Sequence, residues 1–167
     1  MENWFECKVK YDRRDEFGQD TAVSESYLVD ALSFTEAESR LIKLLEGEVP
    51  DEFVINGIGK AKLSEVIPAE DTDFWYKAKV VFIDIDEKSG KEKKSVNQVL
   101  VAADDIGGAL QNLLKNFETV LVPWEIHSIT LTKVVEVFPY HEDDVSQTDV
   151  DAEKAISGED KDYIAEE

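Results

Sequence analysis

The sequence predicts an α+β fold: a tandem duplication of a ββαβ(β) unit packed as one pseudo-symmetric body, followed by a disordered acidic C-terminal tail. Three observations predict it. Matching residues recur along the 167-residue chain at offsets of 71 to 73 positions. Strand-like alternation and helical periodicity follow one another in the same order in both halves. Composition changes abruptly after Pro139-Tyr140. The predicted boundaries are 1–70 for the first repeat, 71–140 for the second and 141–167 for the acidic flexible tail.

Each element has a local reason. WFECKVKYD (4–12) and the stretch from Trp75 to Ile85 alternate and are rich in aromatic and β-branched residues, as strands require. A charged turn with Gly18 or Gly90 follows, then a second strand near 25–32 or 95–102, so each pair reads as a hairpin. Ser33 with Glu36 three residues on forms a capping box that opens a helix over Phe34, Ala37, Leu41, Leu44 and Leu45. Asp105 caps the corresponding helix over Ile106, Ala109, Leu113 and Phe117. Pro50 and Pro123 stop the two helices. Strands near 52–67 and 124–138 close the units, the first with a break at Gly57 and Gly59. A unit of this size has a thin core alone, so the two are expected to pack together.

With 43% hydrophobic residues the chain can bury a core. The single cysteine, Cys7, excludes an intrachain disulfide and points to a reducing compartment. No signal-peptide order and no membrane-length apolar run is visible, so the expected location is cytoplasmic, with no membrane partner. Net charge is −20; residues 1–140 hold 27 acids against 16 bases, and residues 141–167 hold 11 against 2. That balance keeps nucleic acid away at long range, so a polyanion partner would need a locally basic face. The tail has little periodicity, apart from a short helix conceivable around 150–157.

Catalytic chemistry is hard to place. His127 lies in a predicted strand and reads as a packed residue, His141 sits at the tail junction, and neither has metal-ligand spacing with Cys7. No nucleophile elbow, Walker sequence or glycine fingerprint occurs. Asp105-Ile106-Gly107-Gly108 puts free amides at a helix start, where an anion could sit. The first repeat has Thr35-Glu36 there, so close packing explains the glycines better. The carboxylate pairs Asp84/Asp86 and Asp143/Asp144 are of a kind that 38 acids produce by chance. The expectation is a protein that is not an enzyme and has no metal or other cofactor.

The repeated strand carries more. Side chains alternate across a sheet, so Phe5, Cys7, Val9 and Tyr11 share one apolar face, as do Tyr76, Ala78, Val80 and Phe82. The other face carries Trp4, Glu6, Lys8 and Lys10 in one copy and Trp75, Lys77, Lys79 and Val81 in the other, and is expected to point outward. Arg13 and Arg14, and Lys88, Lys91, Lys93 and Lys94, extend it into the turns. Aromatic rings that stack on bases and lysines that follow phosphates suit single-stranded nucleic acid. Equally, tryptophan can cap a core at a sheet edge while lysines only solvate it.

The layout of a β-rich body with an acidic C-terminus resembles phage and bacterial single-stranded DNA-binding proteins. That resemblance implies a tail that competes with DNA and recruits replication or host proteins, here through Asp160, Asp162, Tyr163 and Ile164. The tail departs from the pattern by continuing to Ala165-Glu166-Glu167. NWFECKVKYD, YLVDALSFTEAE, WYKAKVVFIDIDEKSGKEKK and VVEVFP, across about residues 2–140, resemble an uncharacterised domain family of Bacteroidota and their phages. That likeness implies a phage or mobile-element setting, with no activity to carry over to any residue.

The leading expectation is therefore a non-enzymatic single-stranded DNA-binding accessory protein of phage replication or recombination, a homo-oligomer being possible. The alternatives are an acidic protein-interaction module or DNA mimic that inhibits a host defence enzyme, and a virion-associated structural protein.

Overall fold

The computed structural model describes residues 3–140 and is mostly sheet, with two helices. In chain order the elements are β1 (Trp4–Arg14), β2 (Asp20–Asp30), α1 (Phe34–Leu45), β3 (Val54–Lys60), β4 (Glu65–Ile67), β5 (Phe74–Ile85), β6 (Glu92–Ala103), α2 (Ile106–Phe117), β7 (Trp124–Leu131) and β8 (Val134–Phe138). They build two four-stranded sheets, ordered β3-β1-β2-β8 and β4-β6-β5-β7.

Both hairpins form as their residues dictate. β1 pairs with β2 from Trp4↔Asp30 to Arg14↔Asp20, and β5 pairs with β6 from Phe74↔Ala103 to Ile85↔Glu92. Their turns close through Gly18 at φ 76° and Gly90 at φ 66°, a conformation that favours glycine. The Gly90 amide donates to the Asp86 carbonyl at 2.8 Å.

The helices begin where their caps predict. Ser33 Oγ accepts from the Glu36 amide at 3.1 Å, and the Glu36 carboxylate accepts from the Leu32 amide rather than from Ser33 itself. Asp105 accepts from the Gly108 amide at 2.6 Å. The helices end at Leu45 and Phe117, well before Pro50 and Pro123; Gly47, at φ 81°, turns the chain after α1. Ala37, Leu41 and Leu45 of α1 and Ala109, Leu113 and Phe117 of α2 are buried against the sheets, whereas Phe34 and Ile106 are exposed.

The closing strands exchange sheets. β3 pairs antiparallel with β1, and the chain then crosses at residues 61–64, so that β4 runs parallel to β6 in the other sheet. Around this corner the Ala61 amide donates to the Trp4 carbonyl and the Ser64 amide to the Gln98 carbonyl, both at 2.8 Å. Likewise β7 pairs with β5, crosses at Thr132-Lys133, and β8 runs parallel to β2. The break in 52–67 thus falls at the corner and not at Gly57 and Gly59, which lie inside β3.

Three apolar clusters follow. One packs α1 on the first sheet around Phe5, Cys7, Val9, Tyr27, Val29 and Leu41. A second packs α2 on the other sheet around Tyr76, Ala78, Val80, Val99 and Leu113. The third joins the opposite faces of the two sheets through Trp4, Leu28 and Leu100, with Trp75, Val66 and Val137 beside them. The layers are helix, sheet, sheet, helix, and each crossing strand stitches the inner two.

Candidate functional site

The face predicted to point outward is the face between the sheets. Trp4 is 4% exposed and Trp75 half-buried, both within the inter-sheet cluster. The alternation along β1 and β5 is as predicted; the covering by a second sheet is not. Burial of the Trp4 indole takes it off an open stacking platform and corrects its predicted placement, while Trp75 keeps part of its ring exposed.

The basic residues remain accessible. Lys8, Lys10, Arg13 and Arg14 on the first hairpin are exposed, as are Lys77, Lys88, Lys91, Lys93 and Lys94 on the second, while Lys79 is half-buried. Cross-strand partners share a face, so Lys77 and Lys79 stand beside Leu100 and Gln98 of β6 and beside Thr130 and Ser128 of β7, with Lys94 further along the same face opposite Ile83. Lys77 and Lys79 are about 7 Å apart along the strand.

The two hairpins differ in charge. Residues 4–30 hold four bases against seven acids; residues 74–103 hold six bases against four acids. Arg14 and Asp20 pair at 3.6 Å on the first. Among the described residues, none of the six ammonium groups on the second hairpin lies within ion-pair distance of a carboxylate. The β5–β6 hairpin is therefore locally positive in a strongly acidic protein.

His127 is exposed rather than packed. It is the extra residue of a bulge, because Lys79 pairs with Ser128 and Val80 with Ile126, and its Nε2 lies 3.0 Å from Glu125. Asn56 occupies the matching bulge in β3, between the partners of Lys8 and Val9. At the start of α2, the first-turn amide of Gly108 is taken by Asp105, and a Cβ on Gly108 would meet Asp105 at 3.2 Å and Ala103 at 3.6 Å, which fits packing rather than an anion site.

Sequence reasoning missed a polar group on the first sheet. Glu25 accepts from Tyr11 at 2.9 Å and from Tyr27 at 2.6 Å, and Arg13 donates to the Tyr11 hydroxyl at 3.2 Å. Burial first, then the Glu25 hydrogen bond, raises both phenols above the ordinary value. Tyr11↔Val23 and Val9↔Glu25 are cross-strand pairs, and Tyr27 is two residues from Glu25, so the period-two pattern already put all three on one face. The corresponding place in the second sheet holds Phe82, Asn97 and Val99. Burial, then Glu6, raises the Cys7 thiol to about 11. A groove of about 420 Å³ lies at the first corner, walled by Trp4, Lys60, Lys62 and Gln98 among others.

Among the described residues, no group of three histidine, cysteine or acidic side chains could hold a metal, and no helix is long and apolar enough to cross a membrane. Asp160, Asp162, Tyr163 and Ile164, with His141, Asp143, Asp144 and the helix conceived at 150–157, lie outside the described residues.

Fold and surface together define a class: a four-layered α+β domain with two strand-exchanging sheets and one locally basic hairpin. Residues 3–140 match the family described as Domain of unknown function (DUF4494), and the chain belongs to that family. No curated protein and no solved structure matches it.

Proposed function

We propose that the protein is a non-enzymatic binding protein that contacts single-stranded DNA through the β5–β6 hairpin. The supporting observation is the excess of ammonium groups on that hairpin, none of them ion-paired among the described residues, with Lys77, Lys79 and Lys94 on one face and Lys88, Lys91 and Lys93 at or beside the turn. Because Trp4 and Trp75 are used in the core, the contact rests on phosphate charge and not on stacking. Affinity then falls steeply with salt and depends little on base sequence. The first hairpin, with its excess of acids, contributes little, so Lys8, Lys10, Arg13 and Arg14 are secondary.

The proposal includes a phage replication or recombination setting, with the acidic residues 141–167 modulating the contact or recruiting partner proteins. It also includes descent of the two halves from one duplicated unit, supported by the identical order of matching strands in the two sheets.

A second reading has its own observation. The first hairpin and the body as a whole carry excess negative charge, which suits an acidic protein-interaction module or DNA mimic. Titration of labelled oligo-dT at low salt separates the two. Binding that is lost in Lys77→Glu/Lys79→Glu supports the hairpin; no binding by the full chain or by a chain ending at residue 140 overturns it.

A further inference from the structure

The two halves provide an internal comparison. α1 and α2 cover equivalent sheets with equivalent buried positions, Ala37, Leu41 and Leu45 against Ala109, Leu113 and Phe117. The residues that pack the fold are therefore alike. The outward residues differ at one place above all: α1 exposes Phe34 and Ile42 where α2 exposes Ile106 and Leu114, but between them it carries Glu38 where α2 has Leu110.

α2 exposes Ile106 (58%), Leu110 (40%) and Leu114 (46%), which recur every four residues and so form one stripe. Leu121 (98%) and Val122 follow just beyond its end. At the positions matching Leu110 and Leu121 the first half has Glu38 and Glu48. Glutamate at those places is compatible with the same helix on the same kind of sheet. Packing within the domain thus does not call for leucine there, and an apolar surface of this kind marks a contact with another molecule.

Charge selects the occupant. Lys115 is the only charged residue in α2, whereas α1 holds Glu36, Glu38, Arg40 and Lys43. In a protein of net charge −20, two copies repel unless they meet through an uncharged face. α2 is such a face, and it is self-complementary. A twofold axis through Leu110 places Ile106 against Leu114 of the second copy and Leu110 against its own counterpart. Gly107, on the flank of the stripe, has no Cβ to hold the helices apart.

We propose that α2 packs antiparallel against α2 of a second copy of this chain. A 12-residue helix is about 18 Å long, so the contact is small and the dimer weak and concentration-dependent. Its core is apolar and the copies repel at long range, so added salt strengthens it, the reverse of a charge-driven contact.

The test is sedimentation of the full chain over a concentration series at low and high salt, joined to disulfide trapping. In a Cys7→Ala background, Leu110→Cys forms a cross-linked dimer under mild oxidation and Glu38→Cys does not. Leu110→Glu, which takes the residue the first half carries, keeps the monomer folded and weakens dimerisation by at least about tenfold. A chain that stays monomeric at every concentration, equal cross-linking at positions 38 and 110, or a dimer unchanged by Leu110→Glu overturns the proposal.

Discussion

Arg40 and Pro139 are 99 positions apart, yet the Arg40 guanidinium donates to the Pro139 carbonyl at 3.2 Å. The same guanidinium donates to the Asp30 carbonyl and lies over the Tyr140 ring. One buried side chain of the first half therefore holds the end of β2 together with the strand that arrives from the second. In the second half Asn112 does part of this work, donating to the Ala102 carbonyl at 2.9 Å. Arg40→Ala removes the donor to the Asp30 and Pro139 carbonyls and is expected to lower stability by about 2 kcal/mol in urea unfolding. A change below half of that would mean the clamp contributes little.

Trp4→Ala is expected to cost about 3–5 kcal/mol, because it opens a cavity between the sheets. Trp75→Ala costs less, since that ring is only half-buried. Trp4 emission should also resist acrylamide quenching. Ready quenching, with a negligible loss of stability, would restore the outward placement.

Cys7 sets a pH dependence. Its folded thiol ionises near 11 against an ordinary value of 9, so the unfolded chain loses its proton first. The contribution is complete below pH 9 and is lost as pH rises toward 11, at about 1.4 kcal/mol per pH unit within that window. Cys7→Ala, the residue found at Ala78 in the second half, should flatten this part of the profile. The native thiol, 0% exposed, should react with thiol reagents only on unfolding.

Glu25 should control two phenols. Glu25→Gln removes the acceptor charge shared by Tyr11 and Tyr27, and tyrosine titration followed by absorbance should show two groups moving down toward the ordinary range. An unchanged titration curve would show that burial alone sets them.

These residues also show what the sequence could reveal. Hairpins, helix starts and the helix-facing core were legible because each rests on local rules: alternation in WFECKVKYD, a cap at Ser33 or Asp105, a glycine at 18 or 90. The strand exchange was not, because Val66 and Val137 have the same alternation whichever sheet they join. The period of two assigns Trp4 to a face but cannot say what covers that face, which is why the Trp4 ring lies in the core while most of the lysines beyond it are exposed. Nothing local marks Arg40 as a clamp, since its carbonyl partners lie 10 and 99 positions away. Pro50 and Pro123 predict helix stops later than the observed ends, because Gly47 already turns the chain after α1.

The functional account stands on the β5–β6 lysines. Fluorescence anisotropy of labelled oligo-dT at low salt, with the wild-type chain beside Lys77→Glu/Lys79→Glu/Lys94→Glu, addresses them directly. The account predicts binding that weakens steeply as salt rises and falls by at least about tenfold in the triple variant, whose unfolding transition is preserved. Absence of binding by both the full chain and a chain ending at residue 140, or binding that the triple variant retains in full, would contradict it.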